Sequence, residues 1–555
     1  MKSRTKSGKG ELNVKKRPNI LIFNPDQMRA DTLGHFGNPA GVTPNLDAFA
    51  VSEGVSFRNA FCQNTVWVPS RWSFFTGLYP HTRGHRTMGY LLGREETSLL
   101  KELRDAGYYV WANARNDLVA GEIPGLIESH VTELYYGGNA APAPGPVKEN
   151  VRGRIGEKNF YSFYNGQLKT DEGGRNYTAD DEDVDAAIHR ILNPVDDRPL
   201  CIFLGLLYPH PPYQIEEPYF SAVSREELPA RIPADETVGK AKILSLIRQY
   251  QNLQAYTEED WNELRAVYLG MCMKVDSQFK KVCDALKQAG EYDDTAIFFF
   301  SDHGDYTGDY GLTEKVQNSF EDCLTNVPLL IKPPKWIKTD PGITDGMAEL
   351  IDFYATVLEL AGIQPSHSHF GKSLLPVIGQ RSVSCRTEVF CEGGRLAEEK
   401  HCSEGCDPAA GGRFRYNIYW PRYAAQWDDE AHAKGTMVRT KDYKYVYRAD
   451  AACEFYDLKE DPGERENRIE WPQYAAIILE MKEKILSWYQ RTCDVVPFQP
   501  DERFSKKMIW EKVKRLCPPG YEKLVKEKIE NGMGLFLVQQ FCRELWNKTE
   551  EKKIE

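Results

Sequence analysis

No window of this 555-residue chain approaches the roughly 20 consecutive apolar residues that a helix needs to cross a bilayer. A membrane partner is therefore not expected. The amino-terminal MKSRTKSGKGELNVKKRP is basic and polar, and lacks the apolar stretch of a secretory signal. Residues 1–17 read as a disordered, solvated tail. There is no excess of positive charge either: the net charge is −11, which argues against nucleic acid as a general partner. A small anionic substrate stays open, because local fields in a site outweigh the global sum. The thirteen cysteines are odd in number and scattered, not a disulfide framework, so a reduced, cytoplasmic protein is expected. No internal repeat is evident. A homo-oligomer is compatible with all of this.

What is present is a soluble globular composition, 41 % apolar and 27 % charged, on a chain too long for one ordinary core. Short apolar runs at 18–24, 108–112, 199–206, 296–301 and 327–332 read as strands, apolar enough to be covered on both faces. Helical spacing fills 44–53, 95–106 and about 261–289 between them. The alternation predicts an α/β architecture, a large mixed and mostly parallel sheet sandwiched by helices. After about residue 380 the texture changes. Residues 437–468 alternate like antiparallel strands, and 474–490 carry an amphipathic helical pattern, so a small carboxy-terminal sheet with a helix is expected. The division expected is tail 1–17, main domain 18–380, smaller subdomain 381–494 and helical extension 495–555.

The strand ends carry the chemistry. Asp26 follows the first run, Arg115 the second, His210 the third and Asp302-His303 the fourth. In open α/β sheets ligands collect outside the carboxyl ends of strands, so these groups are expected to converge. Asp26-Gln27 and Asp302-His303 offer the oxygen donors that suit a hard divalent cation, with an imidazole that moves the balance toward Mn²⁺ or Zn²⁺. The plainer reading of either Asp is a turn or helix cap. His81, Arg83, His85 and Arg86 crowd one loop that reads either as a solvated basic loop or as a reader of an anionic or polyhydroxylated substrate. His401-Cys402…Cys406 has ligand-like spacing but no second cysteine pair at zinc-finger distance.

The run Trp67-Val68-Pro69-Ser70-Arg71, continuing to Thr76-Gly77-Leu78-Tyr79-Pro80-His81, resembles the C-x-P-S-R signature of type I sulfatases. Asp31-Thr32-Leu33-Gly34, Thr43-Pro44-Asn45-Leu46-Asp47 and Ser301-Asp302-His303-Gly304-Asp305 follow in the family's order, and Asp461-Pro462-Gly463 matches its common ending. The Asp-Gln and Asp-His pairs are the variant of choline sulfatases and phosphonate monoester hydrolases. The resemblance implies that Asp26, Gln27, Asp302 and His303 bind one divalent metal ion, with Ca²⁺ or Mn²⁺ foremost. It implies that Arg71 braces the nucleophile and metal site, that Lys315 contacts the transferred group, and that His210 stands near the leaving oxygen. At the next motif this chain has Ala114-Arg115-Asn116-Asp117 where many relatives carry Gly-Lys-x-His. Arg115 keeps the cation and adds a fork, and Asp117 replaces an imidazole beside the substrate.

In the family the signature cysteine becomes formylglycine, whose hydrated aldehyde attacks the sulfur. Trp67 stands at that position, and an indole supplies no such nucleophile, so no formylglycine is expected. Three readings follow. The chain is a hydrolase using a metal-activated water or a hydroxyl such as Thr65 or Ser70; or a metal-dependent lyase, or phosphoester or phosphonate hydrolase, using the same site; or a non-catalytic binding protein. Trp67 then serves as a wall for a substrate ring.

Overall fold

Alternate residues of the central strands enter opposite cores. Ile20 and Ile22 pack on one side of the sheet and Leu21 and Phe23 on the other. Phe298 and Phe300 likewise oppose Ile297 and Phe299. That period of two, apolar on both faces, forces helices onto both sides. The computed structural model describes residues 17–138, 145–403, 414–496, 498 and 503–554; residues 1–16 of the expected tail and Cys406 lie outside them.

The strands are β1 (Asn19–Asp26), β2 (Val55–Phe61), β3 (Tyr109–Asn113), β4 (Glu133–Tyr135), β5 (Tyr164–Gln167), β6 (Leu200–Pro209), β7 (Tyr213–Ile215), β8 (Thr295–Phe300), β9 (Leu329–Lys332), β10 (Gly342–Glu349), β11 (Glu388–Gly393), β12 (Gly435–Thr440), β13 (Tyr443–Arg448) and β14 (Glu454–Asp457). The main sheet has eight strands in the order β10-β2-β9-β8-β1-β6-β3-β4. All neighbours are parallel except β9, which runs antiparallel to β2 and β8. The expected mixed, mostly parallel sheet is therefore present.

Helices Trp67–Thr76, Leu99–Asp105 and Ile351–Ala361 cover one face through Phe74, Phe75, Leu103, Phe353 and Val357. Helices Pro44–Ser52, Ala179–Leu192 and Glu258–Ala289 cover the other through Phe49, Ile191, Val275 and Phe279. The last begins at a capping box of Thr257 and Asp260 and ends at Gly290, which fixes where its 32 residues start and stop.

The second sheet, β11-β12-β13-β14, is antiparallel, and helix Ala475–Thr492 packs on it through Ile478, Met481, Ile485 and Trp488. Its first strand, β11, lies outside the alternating stretch recognised in the sequence. Ion pairs join the small sheet to the segment between β8 and β9: Arg439 and Lys444 reach Asp322 at 2.9 and 2.6 Å. The chain divides after Val495 into two compact units. In the second, helices Lys506–Val513, Glu522–Glu530 and Leu535–Ile554 close around Val513, Val525 and Val538. Among the described residues, no helix is long and apolar enough to cross a membrane.

Candidate functional site

β1, β3, β6 and β8 are neighbours in the sheet and parallel, so their carboxyl ends share one edge. Asp26 closes β1, Asp302 lies two residues past β8, Arg115 two past β3, and His210 follows β6 directly. The register of β1 on β6 slips between Pro25, opposite Leu206, and Asp26, opposite Pro209, an irregularity of the kind that re-aims a side chain beside a site. Two glycines permit the close approach of backbone here. A Cβ on Gly205 of β6 would lie 2.7 Å from the Arg115 carbonyl, and one on Gly304 would lie 2.0 Å from the Cys323 carbonyl. Gln27 holds a left-handed φ of 70° although it is not glycine, a strained conformation of the kind that gathers at functional sites.

Asp26, Gln27, Asp302 and His303 are almost fully buried. One ligand atom from each of Asp26, Asp302 and His303 falls within 4.8 Å of the others. Asp26 Oδ1 and His303 Nε2 lie 3.5 Å apart, and neither has a hydrogen-bond partner. Two buried acceptor-capable atoms left facing each other are costly without a shared cation, and a carboxylate pair plus imidazole is a donor set for a divalent ion. The residues therefore fit such an ion. Gln27 differs from its three neighbours: its Oε1 accepts a short hydrogen bond from Lys315 Nζ.

Arg71, fully buried in helix Trp67–Thr76, ties the carboxylates together. Its Nε donates to Asp302 Oδ2 at 3.0 Å, Nη2 reaches Asp26 at 3.3 Å and Nη1 reaches Asp117 at 3.3 Å. Nη1 also donates to the Arg115 and Asn116 carbonyls. Arg115 Nη2 meets Asp26 Oδ2 at 2.7 Å. Burial opposes ionisation of Asp26, but the fixed cations Arg115, Lys315 and Arg71 hold its carboxyl well below the usual range. For the imidazole of His210, burial and then Lys315 push the pKa well down, so the ring is neutral near neutral pH. Its Nδ1 lies 2.6 Å from the Pro211 carbonyl; Nδ1–H donates there, which leaves Nε2 as the proton-accepting atom. Burial likewise lowers His303, the neutral form a metal ligand requires.

Trp67 opens its helix at the site. Lys315 Nζ sits 4.6 Å from its ring centre, a cation–π contact, and its ring meets His210 edge-on at 6.1 Å. Beside them opens a cavity of about 630 Å³ whose walls include Trp67, Arg115, Asp117, His210, Tyr419, Arg422 and Tyr423.

The site thus brings together Asp26, Gln27, Trp67, Arg71, Arg115, Asp117, His210, Asp302, His303 and Lys315. It does not bring in His81 or His85, and this corrects the expectation for that loop. His81 contacts Glu392 through Nδ1 at 2.8 Å and Thr492 through Nε2. His85 binds the Tyr90 carbonyl and Glu96, and stacks on Trp72. Both rings are fastened inside the protein. The two hydroxyls considered as nucleophiles are also committed: Ser70 donates to the Asp302 carbonyl at 2.6 Å, and Thr65 points to the Val316 carbonyl. Tyr419, Arg422 and Tyr423 went unrecognised in the sequence, since residues 381–435 carry no regular period; the aromatic-and-arginine cluster there was the one available signal.

The sulfatase family model matches residues 18–363. The chain belongs to the sulfatase family. It is 27 % identical over 515 residues to the multifunctional alkaline phosphatase superfamily protein PehA of Trinickia caryophylli, covering 85 % of this chain and 95 % of that one. It is 28 % identical over 484 residues to the choline-sulfatase of Rhizobium meliloti, covering 82 % and 83 %. In fold, this sulfatase-family chain is similar to the phosphonate monoester hydrolase of Agrobacterium radiobacter, with a TM-score of 0.66 at 23 % identity over 87 % of this chain and 100 % of that chain.

Proposed function

We propose that this chain is a metal-dependent hydrolase that cleaves a small sulfate, phosphate or phosphonate ester by attack of water, with no covalent intermediate on the protein. The observation that carries this reading is the intact cation and carboxylate array around a position where the only side chain is an indole. Asp26, Asp302 and His303 would hold the ion, with Gln27 beside them. A bound divalent cation there supplies positive charge to the ester's oxygens and acidifies water.

The chain's own groups would do the rest. Arg115 and Lys315 neutralise the oxyanion as its charge grows, which is usually a large share of catalysis in a water-poor site. Arg71, whose donors all point into the protein, holds Asp26 and Asp302 rather than substrate. His210 offers Nε2 to take a proton from the attacking water and pass it to the leaving oxygen. Trp67, Tyr419 and Tyr423 form the wall against the organic part of the ester.

Buried hydroxyls at Ser70 and Thr65 support water over a side-chain nucleophile. The test is hydrolysis of sulfate, phosphate and phosphonate monoesters by the full chain loaded with Mn²⁺ or Ca²⁺, beside Lys315→Ala and His210→Ala. Turnover of at least one class, reduced by about 10²-fold or more in each variant, is expected. A metal-loaded chain inert toward all three classes would return the protein to the binding reading.

A further inference from the structure

Lys315 is a fully buried ammonium, and its partners are unusual for a group meant to meet an anion. Its Nζ lies 3.2 Å from Glu314 Oε1, the carboxylate of the preceding residue, itself buried. A buried anion that close would neutralise Lys315 toward any incoming oxyanion. Glu314 is, however, engaged from its other side. Arg422 Nη1 stands 3.3 and 3.5 Å from the two Glu314 oxygens, and Arg422 Nε donates to Gln317 Oε1 at 3.0 Å. The guanidinium comes from the short helix Trp420–Ala425, more than a hundred residues further along the chain.

The stitching continues beyond it. Gln317 Nε2 meets His432 Nε2 at 3.2 Å, and Asn318 Nδ2 donates to the Ala433 carbonyl at 2.9 Å. The stretch from Glu314 to Asn318 is thus held along its length by residues 422–433.

From this geometry we infer that Arg422 is a positioning residue for Lys315: by sharing the Glu314 carboxylate it leaves the Lys315 ammonium available to an oxyanion. Arg422 acts through Glu314, not on the reacting atoms. The inference rests on the reading of the site as an oxyanion site.

It predicts a specific non-additivity. In Arg422→Met, Glu314 is left, among the described residues, with Lys315 as its paired cation, and anion affinity falls. In the double variant Arg422→Met, Glu314→Gln the competing carboxylate is gone, and affinity returns. A purely structural role for Arg422 predicts instead that phosphate affinity merely tracks thermal stability across the variants, since neighbours in one ion-pair network are non-additive in stability as well.

The experiment is calorimetric titration of inorganic phosphate into the full chain loaded with Mn²⁺, with thermal melting of each variant as a control. We expect Arg422→Met to raise the phosphate Kd by about tenfold or more, as loss of a buried partner does. We expect the double variant to fall within about threefold of wild type and Arg422→Lys to lie between. If wild type binds phosphate and Arg422→Met binds it equally well, the proposal is overturned alone. If the double variant is no better than Arg422→Met, or Arg422→Met does not fold and the double variant fails to bind, it is likewise overturned. If wild type takes up no phosphate at all, both the proposal and the oxyanion reading beneath it fall.

Discussion

Arg71 contacts three carboxylates and two carbonyls, all belonging to the protein. Removing it leaves Asp26 and Asp302 buried without their shared counter-charge. Arg71→Ala is therefore expected to lose about 3–5 kcal/mol of stability and to bind metal poorly, as read by urea melts and metal analysis of the purified protein. Unchanged stability and metal content would contradict the bracing role. Asp302→Ala is expected to lower metal content at least as far, because it removes one of only two carboxylates in the set. Trp67 supports a prediction of a different kind. Trp67→Cys, expressed with a formylglycine-generating enzyme and checked by mass spectrometry, is expected to gain aryl sulfate turnover, since Arg115, Lys315 and His210 already surround that position. Formylglycine without such turnover means that the pocket is shaped against sulfuryl transfer.

At the scale of elements, the strand ends were legible because each apolar run stops at a polar residue that the buried sheet cannot take in. β1, β3, β6, β8 and β9 all stand where such runs occur. β2 and β10 escaped notice because polar residues interrupt them, as in VSFRNAF and GITDGMAE. His81 was misread for a reason no local pattern repairs: its partners Glu392 and Thr492 lie 311 and 411 residues away. Two elements lend themselves to tests. Gly304→Ala would put a methyl group 2.0 Å from the Cys323 carbonyl, and a loss of about 1–3 kcal/mol or more is expected in urea melts. His130, packed against helix Leu99–Asp105 through Ser98 Oγ at 2.8 Å, is lowered to about 4 by burial and then by Lys101. The folded chain keeps this ring neutral while the unfolded chain protonates it below about pH 6.5. Stability from this group is complete above about pH 6.5 and is lost as pH falls toward 4. Asp183 and Asp276, pushed up to about 6 by burial, act in the opposite sense, so the measurement is a difference. His130→Gln is expected to show a shallower loss of stability than wild type between about pH 6.5 and pH 4. Parallel slopes would refute it.

Across the whole molecule, the small sheet is fastened to the large one by buried charge. Lys444 on β13 reaches Asp322 in the segment between β8 and β9, and Lys240 donates to Tyr456 of β14 at 2.9 Å. Lys444→Met would leave the buried Glu464 without its paired lysine while Asp322 keeps Arg439, and a loss of about 3–5 kcal/mol is expected, with ester turnover falling in step with the folded fraction. Family membership was readable from motifs, whereas the Tyr419, Arg422 and Tyr423 wall was not, because its segment is placed by contacts such as Arg422 to Glu314, more than a hundred residues away. The central claim is that this sulfatase-family site works through water with no nucleophile of its own. Its most direct test is rapid quenching of the Mn²⁺-loaded wild-type chain during ester turnover, followed by intact-protein mass spectrometry. The account predicts product formation with the protein mass unchanged at every time point. A sulfated or phosphorylated protein that forms and decays with turnover would contradict it.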